Sequence, residues 1–175
     1  MTGRPPAENA AARVAANLAR IRDGIAAACG RAGRAATEVT LIGVTKYVDA
    51  ATARLLVAAG CLDLAESRPQ SLWGKAEALA DLVPPPRWHL VGHLQRNKVR
   101  RTLESRPLIH SLDSIRLLEA LAAEAGAAGC ACEALVEVNL SADPGRTGAT
   151  EAEAAAIIAA AAGMPEVNVR GLMGM

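Results

Sequence analysis

Two rhythms of hydrophobic and polar positions organise this chain. From Ala7 to Gly33 apolar residues recur at spacings of three and four: Val14, Leu18, Ile21, Ile25 and Cys29. Arg13, Arg20, Arg22 and Asp23 fall between them. That period predicts a long amphipathic helix. It precedes the first strand, so it is a lid or a flank rather than a crossover. A second rhythm starts at Val39. The run to Lys46 is β-branched and aliphatic with no charge before its last position, which reads as a buried strand ending on an amine.

Beyond Lys46 short apolar runs alternate with helical stretches. Asp49 caps a helix carrying Leu55, Leu56 and Ala59, which Gly60 ends. Strands are expected at Cys61–Ser67, Trp88–Gly92, Leu108–Leu112, Ala134–Leu140 and Val167–Met175. Pro69 opens a helix with Leu72, Ala76 and Leu79 as its buried stripe, and Pro84-Pro85-Pro86 breaks the chain. A third crossover helix covers Asn97–Glu104. Asp113 or Ser114 caps the next, with Leu117, Leu118 and Leu121 inward. Thr150-Glu151-Ala152-Glu153 is a capping box whose helix runs to Gly163.

Six strands alternating with helices predict an α/β fold with a parallel sheet. An open doubly wound sheet and a (β/α)8 TIM-barrel-like fold with about six of its eight strands both fit this rhythm. No G-x-G-x-x-G follows the first strand and no Walker lysine-serine pair occurs, which weighs against a nucleotide-binding open sheet. Residues 1–175 form one domain, incomplete as a barrel, with the 7–33 helix at its flank.

Composition narrows the picture. Of the 175 residues 51% are hydrophobic, many of them alanine, and phenylalanine is absent; the core must pack Leu, Ile, Val and Ala. A formal charge of +1 gives no field that would draw in nucleic acid or an anionic membrane. No apolar run approaches the ~20 residues a membrane helix needs. Met1–Ala12 lacks the apolar core of a signal peptide, so a cytoplasmic location is expected. Cys29, Cys61, Cys130 and Cys132 lack metal-site spacing and read as reduced, structural thiols.

In parallel α/β folds, ligands sit at the C-terminal ends of strands. Those ends carry Lys46, Glu66-Ser67, His89 with Gly92-His93, Ser111 to Asp113, Asn139 to Ser141, and Met173 with Met175. A lysine desolvated there has a lowered pKa and can attack an aldehyde; one turned to solvent is the commoner outcome for the residue type. The three histidines lack the spacing of a metal site and read as hydrogen-bonded structural or pocket-lining groups. Ser141 has no Gly-x-Ser-x-Gly elbow. The basic run Arg96 to Arg101 reads as the solvated face of a crossover helix. RNA or partner binding through Arg96 to Arg106 is the competing reading, without aromatic interleaving for base stacking.

Taken together, several ordered stretches resemble the pyridoxal phosphate homeostasis proteins, which share a fold with the N-terminal barrel domain of alanine racemases. Leu41-Ile42-Gly43-Val44-Thr45-Lys46 is similar to that family's cofactor-lysine strand. Leu64 to Gln70 stands where the family has Gly-Glu-Asn. Trp88-His89-Leu90-Val91-Gly92-His93-Leu94-Gln95-Arg96-Asn97-Lys98 is the most specific match, and Val136–Ser141 and Arg170–Met175 also fit.

The resemblance implies a barrel of the alanine racemase N-terminal type. It implies pyridoxal 5′-phosphate (PLP) held as a Schiff base on Lys46, with Ser67, His89, Asn139 and Met173 lining the ring pocket. The implied role is intracellular buffering and delivery of the cofactor, without substrate turnover. The implied partners are PLP and the apo forms of PLP-dependent enzymes as recipients, with no nucleic acid and no membrane, the protein being a monomer. A PLP-dependent racemase-like enzyme is the alternative, as is a truncated copy with weak or no cofactor binding.

Two departures stand out. Ala65 and Ser67 replace the family's Gly and Asn, and serine is the shorter hydrogen-bonding group. The resemblance also implies two further strands beyond Met175, with the main phosphate-binding segment on them; a fragment of a longer protein is the expected explanation.

Overall fold

The computed structural model describes residues 7–141, 143 and 145–174. Its elements alternate along the chain: helix α1 (Ala7–Arg31), strand β1 (Gly43–Val44), α2 (Ala50–Ala58), β2 (Asp63–Glu66), α3 (Pro69–Ala78), β3 (Arg87–Leu90), α4 (Val99–Leu103), β4 (Leu108–Leu112), α5 (Ile115–Ala127), β5 (Cys132–Val138), α6 (Glu151–Ala161) and β6 (Val167–Gly174). All neighbouring strands pair in parallel, in the order β1-β2-β3-β4-β5-β6. A doubly wound sheet reverses its strand order at a switch point. A strictly sequential order is that of a barrel wall, here open between β1 and β6. The fold is therefore TIM-barrel-like without being a closed barrel.

Local chemistry places the helices as the sequence predicts. Asp49 accepts from the Thr52 amide at 2.8 Å, Pro69 opens α3, and Ser114, rather than Asp113, accepts from the Leu117 amide. The Thr150–Glu153 capping box is present in both directions. One face of the sheet, with Leu64, Leu90, Ile109, Ala134 and Val136, packs against Leu72, Leu79, Val99, Leu117, Leu118, Leu121 and Ile157 from the helices. The other face carries Asp63, Arg87, His89, His110 and Glu133.

Several expected boundaries shift. The run Val39–Lys46 contributes only two ladder residues, because a 3₁₀ turn at Ala36–Glu38 precedes it and a turn closes immediately after Val44. The expected helix over Asn97–Glu104 divides into a 3₁₀ turn, Arg96–Lys98, and the five-residue α4. β5 starts and ends two residues earlier than expected. Met175 lies outside the described residues.

α1 is a flank, not a lid. Of its predicted stripe, Leu18 and Cys29 are buried, Val14 and Ile25 are half-buried, and Ile21 is exposed. Arg22 fastens it to the C-terminal end of α2, donating to the Gly60 carbonyl at 2.7 Å. It lies beside Leu41, Leu62 and Asp63, at the N-terminal ends of the strands and away from Lys46, with a cavity of about 560 Å3 between the helix and those strand ends.

Candidate functional site at the strand C-termini

Val44 and Ala65 are partners in the parallel ladder. Lys46 and Ser67 follow them by two positions each, so both leave the sheet at its C-terminal edge. The β1 chain turns there: the Thr45 amide donates to Ala65, and the Val48 amide donates back to the Thr45 carbonyl at 3.0 Å. Lys46 and Tyr47 are the two central residues of that turn. A continuing strand would send them to opposite faces. The turn instead lays the Lys46 ammonium over the Tyr47 ring, 5.0 Å from its centroid.

Lys46 is exposed, not sheltered from water as the sequence reading expects. The physical reason is its place: β1 is an edge strand of two residues, and the turn carries the side chain clear of the sheet. Among the described residues no carboxylate lies within ion-pair distance of it. The chain has three lysines. Lys75 is bound to Glu66 and to the Thr45 carbonyl, and Lys98 is half-buried at the start of α4. Lys46 is thus the exposed lysine of the three, its amine without an ion-pair partner among the described residues.

The other candidates divide by how much hydrogen-bonding capacity they keep. Ser67 is half-buried, and its hydroxyl makes no hydrogen bond to the described residues. Met173 is half-buried at the end of β6, level with Glu137. His89 sits level with Ala65, one layer below Lys46. Its Nε2 is 3.1 Å from Asp63 and its Nδ1 2.9 Å from His110 Nε2, so both ring nitrogens are engaged. With Nε2 donating to the carboxylate, Nδ1 accepts from His110. Asn139 is likewise occupied: its amide nitrogen donates to the carbonyls of Asp143 and Arg146, and its oxygen accepts from the Ser141 amide and hydroxyl. Asn139 thereby ties the loop after β5. His89 forms the floor beneath the edge.

Electrostatics on the inner face centre on Asp63. The Arg87 guanidinium, in a two-pronged contact, holds its carboxyl below the usual range, assisted by His89. Burial, together with the neighbouring His89, pushes the His110 imidazole down to about 4.

Two features escaped the sequence reading. Gly92 is a junction: its carbonyl accepts from the Ser111 hydroxyl at 2.8 Å, and a Cβ there would lie 2.1 Å from the Ser67 carbonyl oxygen. The other is the buried Glu66–Lys75 pair. Lys75 lies three residues after Leu72 and one before Ala76, on the inward stripe of α3. A lysine on a buried stripe facing a strand that ends on glutamate is a readable signal for such a pair.

The open amine and free hydroxyl at one edge suit an aldehyde-bearing ligand, whose carbonyl carbon needs a nitrogen nucleophile and whose polar substituents need a donor or acceptor.

Comparison with known proteins follows the same direction. The family described as alanine racemase, N-terminal domain, matches residues 12–175. The pyridoxal phosphate homeostasis protein of Pseudomonas aeruginosa is 32% identical over 160 residues, covering 91% of this chain and 69% of its own. That of Escherichia coli is 33% identical over 161 residues, with the same shares covered. PipY of Synechococcus elongatus, solved with PLP bound, superposes with a TM-score of 0.79 at 34% identity, over 93% of this chain and 70% of PipY.

Proposed function

Since the chain belongs to the alanine racemase N-terminal domain family, we propose that it binds pyridoxal 5′-phosphate covalently through Lys46 and serves to hold and release that cofactor inside the cell. The observation that carries this reading is the exposed amine of Lys46 at the C-terminal edge of the sheet, without an ion-pair partner among the described residues. The relatives named for pyridoxal phosphate homeostasis, and PipY with its bound PLP, support it.

When bound, the cofactor supplies an aldehyde conjugated to a pyridine ring. Lys46 would supply the nitrogen that holds the cofactor's aldehyde carbon. Ser67 offers one donor and two acceptor lone pairs to the ring substituents. Met173 provides polarisable apolar surface. His89 and Asn139 act indirectly, the first as floor and the second by shaping the loop after β5. Apo forms of PLP-dependent enzymes are the recipients in this reading. In this reading the protein works as a monomer in the cytoplasm; among the described residues no helix is long and apolar enough to cross a membrane.

The test is reconstitution with pyridoxal 5′-phosphate, borohydride reduction and peptide mapping. With three lysines the outcome is unambiguous. The reduced adduct is expected on Lys46 and absent from Lys46→Ala. An adduct of equal yield on Lys75 or Lys98 in that variant would refute the assignment.

A further inference from the structure

Beneath the turn that carries Lys46 lies a buried charged cluster. Glu66 is 1% exposed and Lys75 9% exposed, and they form a direct ion pair. The Thr45 hydroxyl donates to the same Glu66 oxygen at 2.6 Å. The Lys75 ammonium also donates to the Thr45 carbonyl at 2.7 Å. That carbonyl already accepts from the Val48 amide, the bond that closes the turn. One peptide oxygen, immediately before Lys46, is thus gripped from below by an ammonium and from above by the turn itself.

Burying two charges is costly, and a hydrophobic pair of similar volume would often stabilise a fold as well or better. The ammonium does something a hydrophobic side chain cannot: it fixes the orientation of the peptide plane between Thr45 and Lys46. The geometry points to Lys75, held by Glu66, as a positioning residue for Lys46. It sets the direction in which the Lys46 side chain leaves the turn without itself contacting the ligand. This inference rests on the proposed covalent role of Lys46, and its test separates the two.

Removing Lys75 alone would leave Glu66 as a buried unpaired charge, and Lys75→Met alone can fail to fold. The informative variant is the double change Glu66→Gln with Lys75→Met, which removes both charges, compared with Lys75→Arg, which keeps a cationic donor. Two readouts on the full 175-residue chain are needed. The first is hydrogen exchange of the Val48 amide without any cofactor. The second is the equilibrium constant for the visible band of lysine-bound pyridoxal 5′-phosphate, with borohydride mapping to confirm the site.

Loss of one charge-assisted hydrogen bond predicts about tenfold faster Val48 exchange and about tenfold weaker attachment at Lys46 in the double variant. Lys75→Arg should restore both to within about threefold. Thermal melts and circular dichroism establish that the double variant is folded. A folded double variant with parental Val48 exchange and parental attachment overturns the inference. So does faster exchange with unchanged attachment, because the clamp would then hold the turn without positioning the amine. Absence of any band in the parent overturns the proposed function instead, and Val48 exchange then still decides whether Lys75 holds the turn.

Discussion

Nδ1 of His89 lies 2.9 Å from Nε2 of His110, and the two rings meet edge to face at 65° on the inner face of the sheet. Burial of His110, with this contact as the smaller cause, gives the fold a dependence on acid. His110 titrates at its ordinary value of 6.5 when unfolded and near 4 when folded. Between those values the unfolded chain binds the additional proton, so stability is complete above about pH 6.5 and falls as pH drops towards about 4. Asp63 behaves in the same sense lower on the scale: its folded value is depressed, so its contribution is lost only below the ordinary carboxylate range. From about pH 7.5 to about pH 5 the His110 contribution is expected to fall by about 1 to 2 kcal/mol, allowing for solvent screening. Urea unfolding at the two pH values measures it. His110→Gln should flatten the slope in that window; an unchanged slope would assign it to another group.

A second expectation concerns Gly92. An added Cβ would meet Ser67 backbone atoms at 2.1, 2.9 and 3.0 Å, and backbone cannot swing aside as a flexible side chain can. Gly92→Ala should therefore push β2 and β3 apart where the site lies, at a cost of about 2 to 3 kcal/mol. Gly24 has nothing within 4 Å of the equivalent position, so Gly24→Ala is the matched control; it should be neutral or stabilising because it lies inside α1. Equal midpoints for Gly92→Ala and the parent in denaturant would disprove the close approach.

Much of this arrangement is legible in the residues. The capping groups Asp49, Ser114 and Thr150, the proline at the start of α3 and the apolar strand runs placed every helix and strand to within a few positions. The strand order is not legible, because periodicity states which residues face a core but not which strands are neighbours; the family likeness carried that step. The β1 region misled for a definite reason. Val39 to Thr45 has the composition of a strand, yet ladder hydrogen bonds need a partner in register, and β2 offers a short one. Asn139 and His89 are polar and sit near strand ends, so their types alone do not say what they bond to. Only the three-dimensional partners reveal that their hydrogen-bonding groups are already used.

Cysteine reactivity offers a third check. All four thiols are free, and burial pushes the Cys132 thiol up to about 12. At neutral pH its reactive thiolate is scarce. Cys132 should be the slowest of the four to alkylate with iodoacetamide in the native state. It should react at an ordinary rate in denaturant, as followed by mass spectrometry of the individual peptides. Rapid native labelling of Cys132 would mean that β5 opens far more readily than its buried position implies.

Asn139 provides the last test, because the four hydrogen bonds of its side chain all serve one loop. Its side chain spans Ser141, Asp143 and Arg146, while its amide donates to Ala149 at 2.9 Å. The Ala149 amide in turn donates to Glu137, whose carboxylate accepts from the Thr147 hydroxyl at 2.6 Å. Gly148, at φ 108°, permits the loop to close on the backbone: a Cβ there would come within 2.6 Å of the Asn139 nitrogen. Asn139→Ala removes the side-chain ties and leaves the backbone ones. The loop should loosen while the sheet stays paired, with a global loss of about 1 to 2 kcal/mol. Trypsin cleavage after the exposed Arg146 should accelerate several-fold. If Asn139 instead contacted the ligand directly, cofactor attachment would weaken while the cleavage rate at Arg146 stayed at the parental value. Measuring both on the same variant therefore separates a loop-shaping residue from a ligand-binding one.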